Sequence, residues 1–124
     1  MKLVYENGDC KIFSKVRVPK KKGQYVYFLR IGDKKNRLFK IGTTNSIMRR
    51  MKEHCAKYKE EIYILWISPN YSKYTTLRIE DRQKDYWKTL EGFTHVPNDR
   101  FYFPEWITSI TIKVKKEYKI SLEE

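Results

Sequence analysis

Tyr25-Val26-Tyr27-Phe28-Leu29-Arg30-Ile31 and Leu38-Phe39-Lys40-Ile41-Gly42 bracket the polar stretch Gly32-Asp33-Lys34-Lys35-Asn36. The first run is dense in β-branched and aromatic residues, which predicts a central strand. The second returns after a turn, so the pair predicts a hairpin. Downstream, Thr43-Thr44-Asn45-Ser46 offers helix N-cap residues. Met48, Met51, Cys55 and Tyr58 then recur at helical spacing, so one face of residues 46–59 is expected to pack inward. Arg49, Arg50, Lys52, Glu53 and His54 are expected on the other side.

Residues 61–68 predict a third strand, ended by Pro69-Asn70. A second helix fits residues 73–90, with Leu77, Ile79, Tyr86, Trp87 and Leu90 as its apolar contacts. Residues 91–99 read as a loop containing Gly92 and Pro97-Asn98, and Arg100-Phe101-Tyr102-Phe103 precedes Pro104. The tail alternates at Ile110, Ile112 and Val114, which suggests a strand with a frayed end. Upstream, Lys2-Leu3-Val4-Tyr5 and Lys11-Ile12-Phe13 flank Asn7-Gly8, a dipeptide that accepts the positive φ of a tight turn. The basic turn Pro19-Lys20-Lys21-Lys22-Gly23 follows. The expected architecture is α+β, a small antiparallel sheet flanked by helices with an extra N-terminal hairpin. Residues 1–22 would hold the hairpin and basic turn, 23–106 the main domain, and 107–124 a basic strand or tail.

The 124 residues leave room for one hydrophobic core. No apolar run approaches membrane-spanning length, so no membrane partner is expected. Cys10 and Cys55 lack a CxxC spacing and a His partner at zinc-site spacing. They are expected as reduced thiols of an intracellular protein. Lys and Arg number 27 against 15 Asp and Glu, a formal net charge of +12. A small domain this basic attracts polyanions, most simply nucleic acid, by its field and by counterion release.

Tyr25 to Leu29, then Phe39-Lys40-Ile41-Gly42, then Arg50 and His54, and finally Glu80 together resemble the GIY-YIG nuclease pattern. Arg50 follows Gly42 by eight positions and His54 follows Arg50 by four, the spacing of that family. Leu77-Arg78-Ile79-Glu80-Asp81 is similar to its segment around the metal-binding Glu. The resemblance covers residues 23–103 and is to the compact variant found in phage and large-virus proteins. It implies an endonuclease acting on nucleic acid, with DNA as the expected substrate, as a monomer or weak homodimer.

The residue types suit that chemistry. Phosphodiester hydrolysis needs an activated water and cationic groups that absorb charge on the phosphoryl oxygens. The resemblance makes Glu80 the ligand of Mg²⁺ or Mn²⁺ and Tyr27 the phenol that orients or deprotonates the water, with Tyr25 its nearest rival. Arg50 would hold the scissile phosphate bidentately, with Arg49 beside it as an alternative. His54, one helical turn on, would donate to phosphate or position the water. Lys40 stands where the second motif usually presents Tyr, and this departure favours the alternative of a non-catalytic nucleic-acid-binding module. Asn98 is the nearest candidate for the family's late Asn. Lys20, Lys21, Lys22 and the tail Lys113-Val114-Lys115-Lys116 would supply phosphate contacts. Gly42, without a Cβ, would let backbone approach the site closely.

Overall fold

The computed structural model describes residues 1–97, 99–114 and 116–123, so Asn98 and Lys115 lie outside the described residues. In chain order the elements are β1 (Lys2–Asn7), β2 (Cys10–Ser14), β3 (Tyr25–Ile31), β4 (Leu38–Thr44), α1 (Ile47–Tyr58), β5 (Ile62–Ile67), α2 (Lys73–Trp87), β6 (Thr94–Val96), β7 (Arg100–Tyr102), β8 (Ser109–Lys113) and β9 (Glu117–Ser121). The α+β reading therefore stands, with seven strands in one sheet ordered β1-β2-β5-β3-β4-β7-β6 and β8-β9 forming a second, two-stranded sheet.

The β3–β4 hairpin is the middle of the sheet. Its turn is a single 3₁₀ turn in which Asp33 accepts from the Lys35 N–H at 2.9 Å, closed by Arg37 in the left-handed region (φ 49°). The Arg37 side chain then donates to the carbonyls of Phe103 (2.7 Å) and Ile107 (2.6 Å), fastening the hairpin to the chain beyond β7. β3 is buried along its whole length, because β4 and β5 pair with its two edges and a helix covers each face. One face packs Tyr25, Tyr27, Leu29 and Ile31 against Ile47, Met51 and Cys55 of α1. The opposite face packs Val26 and Phe28 against Ile79 and Trp87 of α2 and against Ile110, Ile112 and Ile120 of β8–β9.

Several expectations need correction. The sheet is mixed rather than antiparallel, because β2 runs parallel to β5 through Ile12↔Ile62, Phe13↔Tyr63 and Ser14↔Ile64. The segment between β2 and β3 carries the chain to the middle of the sheet, which leaves the N-terminal hairpin on the far side of β5. The expected loop over 91–99 contains β6, which pairs with β7. The tail forms a hairpin rather than one strand. Helix α2 buries Ile79 and Trp87 as expected, with Leu90 packed against them, but turns Leu77 and Tyr86 outward and buries Thr76 and Gln83 as well. Its two buried polar side chains have partners: Thr76 Oγ1 donates to the Lys73 carbonyl (2.8 Å), and Gln83 Nε2 to the Thr111 carbonyl (3.2 Å). Cys10 and Cys55 form a disulfide, with Cα atoms 5.7 Å apart, and are not reduced thiols. Packing of α1 on β2 brings together two residues 45 positions apart, and the support that free thiols lent to an intracellular location falls away. No helix among the described residues is long and apolar enough to cross a membrane.

Trp87 is the keystone of the α2 face: it is fully buried, with its ring centroid 5.6 Å from Phe28, 5.3 Å from Phe103 and 6.0 Å from Phe101. Trp87→Ala should cost about 3–5 kcal/mol of stability in urea unfolding. Leu77→Ala, on the exposed side of the same helix, should change it by about 0.5 kcal/mol or less. Equal losses would mean that the inward face of α2 is wrongly assigned.

Candidate functional site

Tyr27 lies opposite Gly42 in the β3–β4 register. A Cβ added at Gly42 would come within 2.6 Å of Tyr27 Cζ, so the ring lies directly across the glycine backbone. That close approach requires the absence of a side chain, as the sequence suggested. The Tyr27 hydroxyl meets His54 Nε2 of α1 at 2.8 Å. Tyr25, the rival, donates its hydroxyl to the Lys21 carbonyl at 3.2 Å and is not the partner of His54.

His54 is buried, at 6% exposure, which corrects its expected place on the outer side of α1. Burial lowers its pKa to about 4, and the cations Lys40, Arg50 and Lys57 push the same way. The imidazole is therefore neutral at neutral pH. Burial also raises the Tyr27 phenol; Arg50 opposes this, while Glu80, Tyr58 and Asp99 add to it. The hydrogen bond thus joins two neutral groups, each able to give or take a proton. Arg50 and Glu80 act electrostatically on Tyr27, and Lys40 and Arg50 on His54, so the five residues of the expected centre lie within one another's electrostatic range around the Tyr27–His54 contact.

A chain of charges runs along the edge of this centre. Glu80 Oε1 lies 3.1 Å from Lys84 Nζ, one turn on in α2. Lys84 Nζ reaches Asp99 Oδ2 at 3.0 Å, and Lys40 Nζ reaches the same oxygen at 3.1 Å. Burial works to raise the Asp99 carboxyl but is outweighed by the hydrogen bonds from Lys84 and Lys40, and its pKa ends below the usual value. Lys40 is held below the ordinary lysine value, first by burial and then by Lys84 and Lys57, against the pull of Asp99. Lys84 and Asp99 were not among the residues singled out in the sequence. Lys84 carries a legible signal, a Glu–Lys pair at i, i+4 on one helix. Asp99 carries none, since it lies 59 positions from Lys40 in a turn.

Arg50 and Arg49 separate clearly. Arg49 is exposed on α1 and held by Glu53 (2.7 Å) and Asn45 (2.6 Å). The Arg50 Nε is buried without a hydrogen-bond partner among the described residues, while one of its terminal nitrogens lies 3.5 Å from Glu53. The Arg50 side chain as a whole is 37% exposed, so its terminal N–H groups, rather than the shielded Nε, are what an anion can reach. Lys20, Lys21 and Lys22 are exposed on the segment leading into β3, beside Tyr25. At the rim, the Arg100 guanidinium sits 5.2 Å from the ring centroid of Tyr58, which also lies one turn from His54. Asn98 lies outside the described residues. No three His, Cys, Asp or Glu side chains among the described residues converge as a closed metal site. Glu80, half-buried and within electrostatic range of Tyr27, offers one hard oxygen donor group, which suits a cation that keeps most of its coordination for water and phosphate.

The depressed His54 pKa has a signed consequence. An unfolded histidine takes up its proton near pH 6.5, whereas the folded one does so only near about 4. Between these values the unfolded state binds more protons, so stability is full above about pH 6.5 and erodes as pH falls toward about 4. NMR titration of the imidazole should show a midpoint near about 4, and Gly42→Ala, by displacing the Tyr27 ring, should move it upward. A midpoint near 6.5 in the unsubstituted protein would contradict the buried placement.

The T5orf172 domain family model matches residues 24–106. No curated protein and no solved structure matches the chain. The matched span holds β3, β4, both helices and the Arg100–Tyr102 strand, and with them Tyr27, Lys40, Arg50, His54, Glu80, Lys84 and Asp99. This domain is found in nuclease-related phage proteins and indicates a nucleic-acid-related function. With more than half of its length and its whole polar centre inside that match, the chain belongs to the T5orf172 domain family.

Proposed function

We propose that this chain is a GIY-YIG-type endonuclease that hydrolyses nucleic-acid phosphodiester bonds, DNA first, with the help of Mg²⁺ or Mn²⁺. The observation that carries the reading is the neutral Tyr27–His54 pair within the field of the half-exposed Arg50 guanidinium and of Glu80. Arg50 receives a non-bridging oxygen of the scissile phosphate, and Lys40 adds a second cation nearby. The Tyr27 hydroxyl orients a water and takes its proton while passing its own to His54 Nε2, which burial keeps free to accept it. The water oxygen bonds to phosphorus as the bond to the leaving oxygen breaks, and the departing alkoxide takes a proton from solvent water. A divalent cation on Glu80 would supply Lewis acidity toward the phosphoryl oxygens. One centre per chain cuts one strand, so cutting both requires a second encounter or a weak homodimer.

One observation favours the second reading, a nucleic-acid-binding module without catalysis. Glu80 is already paired with Lys84, and Lys40, where the motif has Tyr, is already paired with Asp99. Both carboxylates of the centre are thus already engaged by lysines.

Supercoiled plasmid separates the two. Incubation with Mg²⁺ or Mn²⁺ should yield nicked circles, and a chelator should prevent this. Glu80→Gln and Arg50→Ala should each slow nicking by about 100-fold or more, with Glu80→Gln retaining binding. Intact plasmid with retained binding would establish the non-catalytic module, and undiminished nicking by Glu80→Gln would remove Glu80 as metal ligand.

A further inference from the structure

A cleft of about 730 Å³ opens where the segment after β2 passes the end of β5. Its size falls within the roughly 300–1,000 Å³ of sites that hold organic ligands. Arg17, Lys20 and Lys21 line it, and no acidic side chain does. None of the three side chains makes an ion pair or hydrogen bond among the described residues, although Lys11, Arg49 and Lys113 elsewhere on the surface each have a carboxylate partner. Such a cluster of uncompensated cations on one short segment favours an anionic occupant.

The rest of the lining says what kind of anion. Pro19, Ile67 and Pro69 form an apolar floor, and Tyr118 stands at the side. Asn70 uses its Oδ1 to accept from the Gln24 N–H (2.8 Å), leaving its NH₂ free to donate. A simple phosphate would not use the floor, and a duplex keeps its base faces stacked inside. An unpaired nucleotide brings a phosphate, a flat apolar ring and a polar ring edge together.

The cleft also adjoins the polar centre. Tyr25, in its wall, is two residues before Tyr27 on the same face of β3, about 7 Å along the strand. Ile67, in its floor, is the β5 register partner of Tyr27. The cleft therefore neighbours the Tyr27 position along β3 and β5, the side of the sheet on which a strand bound at the centre would continue.

We infer that this cleft binds an unpaired nucleotide of the nucleic-acid strand engaged at the Tyr27–Arg50 centre, the three cations holding its phosphates and the floor of Pro19, Ile67 and Pro69 holding its base. The inference rests on the nucleic-acid reading above and specifies the substrate as one with a single-stranded flank. Arg17, Lys20 and Lys21 then act as phosphate-binding residues of a defined subsite rather than as a diffuse basic surface.

The test is fluorescence anisotropy with the full chain, in chelator and at low salt. Three labelled oligonucleotide probes are compared: a blunt duplex, the same duplex with a single-stranded tail, and that duplex with an abasic tail. The tailed duplex should bind about tenfold more tightly than the blunt one, and the abasic tail should lose part of that gain. Arg17→Gln/Lys20→Gln/Lys21→Gln, all at exposed positions, should abolish the preference by weakening the tailed duplex about tenfold more than the blunt one. It should also lower the salt slope for the tailed probe by about 2, at roughly 0.7 for each single-strand contact. Arg50→Ala should weaken all three probes alike. Equal binding of blunt and tailed duplexes, a preference that survives the triple substitution, or an abasic tail as good as a natural one would each overturn the inference. In those cases binding persists and the nucleic-acid reading stands; no binding to any probe would overturn both.

Discussion

The Tyr27 ring lying across Gly42 with its hydroxyl on His54 is the contact on which this molecule turns. It ties three elements together at one point: β3 supplies the ring, β4 the bare backbone beneath it, and α1 the imidazole. Register and chemistry are inseparable here. A slip of one residue between the strands would put Lys40's neighbours under the ring and send Tyr27 to the other face. The same burial that makes the ring a core residue keeps both the phenol and the imidazole uncharged, so the packing sets the protonation state of the pair.

Around that neutral pair, charge is arranged with economy. Lys40 replaces a hydroxyl of the expected motif with an ammonium, and a buried ammonium demands a partner. Asp99 provides it from the turn between β6 and β7, held in the left-handed region (φ 57°) that Asp tolerates better than most residues. Lys84 shares the same carboxylate and passes the connection on to Glu80. The Lys40 departure and the Asp99–Lys84 bridge therefore belong together as one local solution. Among the described residues, Arg50 alone keeps a buried side-chain donor without an acceptor.

How much of this the sequence displays follows from how local each signal is. Strand β3 and strand β4 declare themselves through consecutive β-branched and aromatic residues, and α1 through Met51, Cys55 and Tyr58 at helical spacing. Tyr27, Lys40, Arg50, His54 and Glu80 were legible by motif position, and strand register and helical turns then carry them to one place. The burial of His54 was hidden by the run of charged residues around it. The inward face of α2 was hidden because Thr76 and Gln83, polar by type, are buried with their hydrogen bonds made, while Leu77 lies on the exposed side. Asp99 and the Cys10–Cys55 pair depend on contacts between distant segments, which no local pattern reports.

The parallel ladder between β2 and β5 has a consequence for how the molecule assembles. Ile12 and Ile62 are register partners separated by the whole of β3, β4 and α1. The central hairpin and α1 can form from near-neighbour contacts, but the N-terminal hairpin has no edge to join until β5 is in place. Closing so long a loop late is entropically expensive and slow compared with hairpin formation. Loop-closure entropy therefore leads us to expect the N-terminal strands to dock after the β3–β4–α1 region that carries Tyr27, Arg50 and His54.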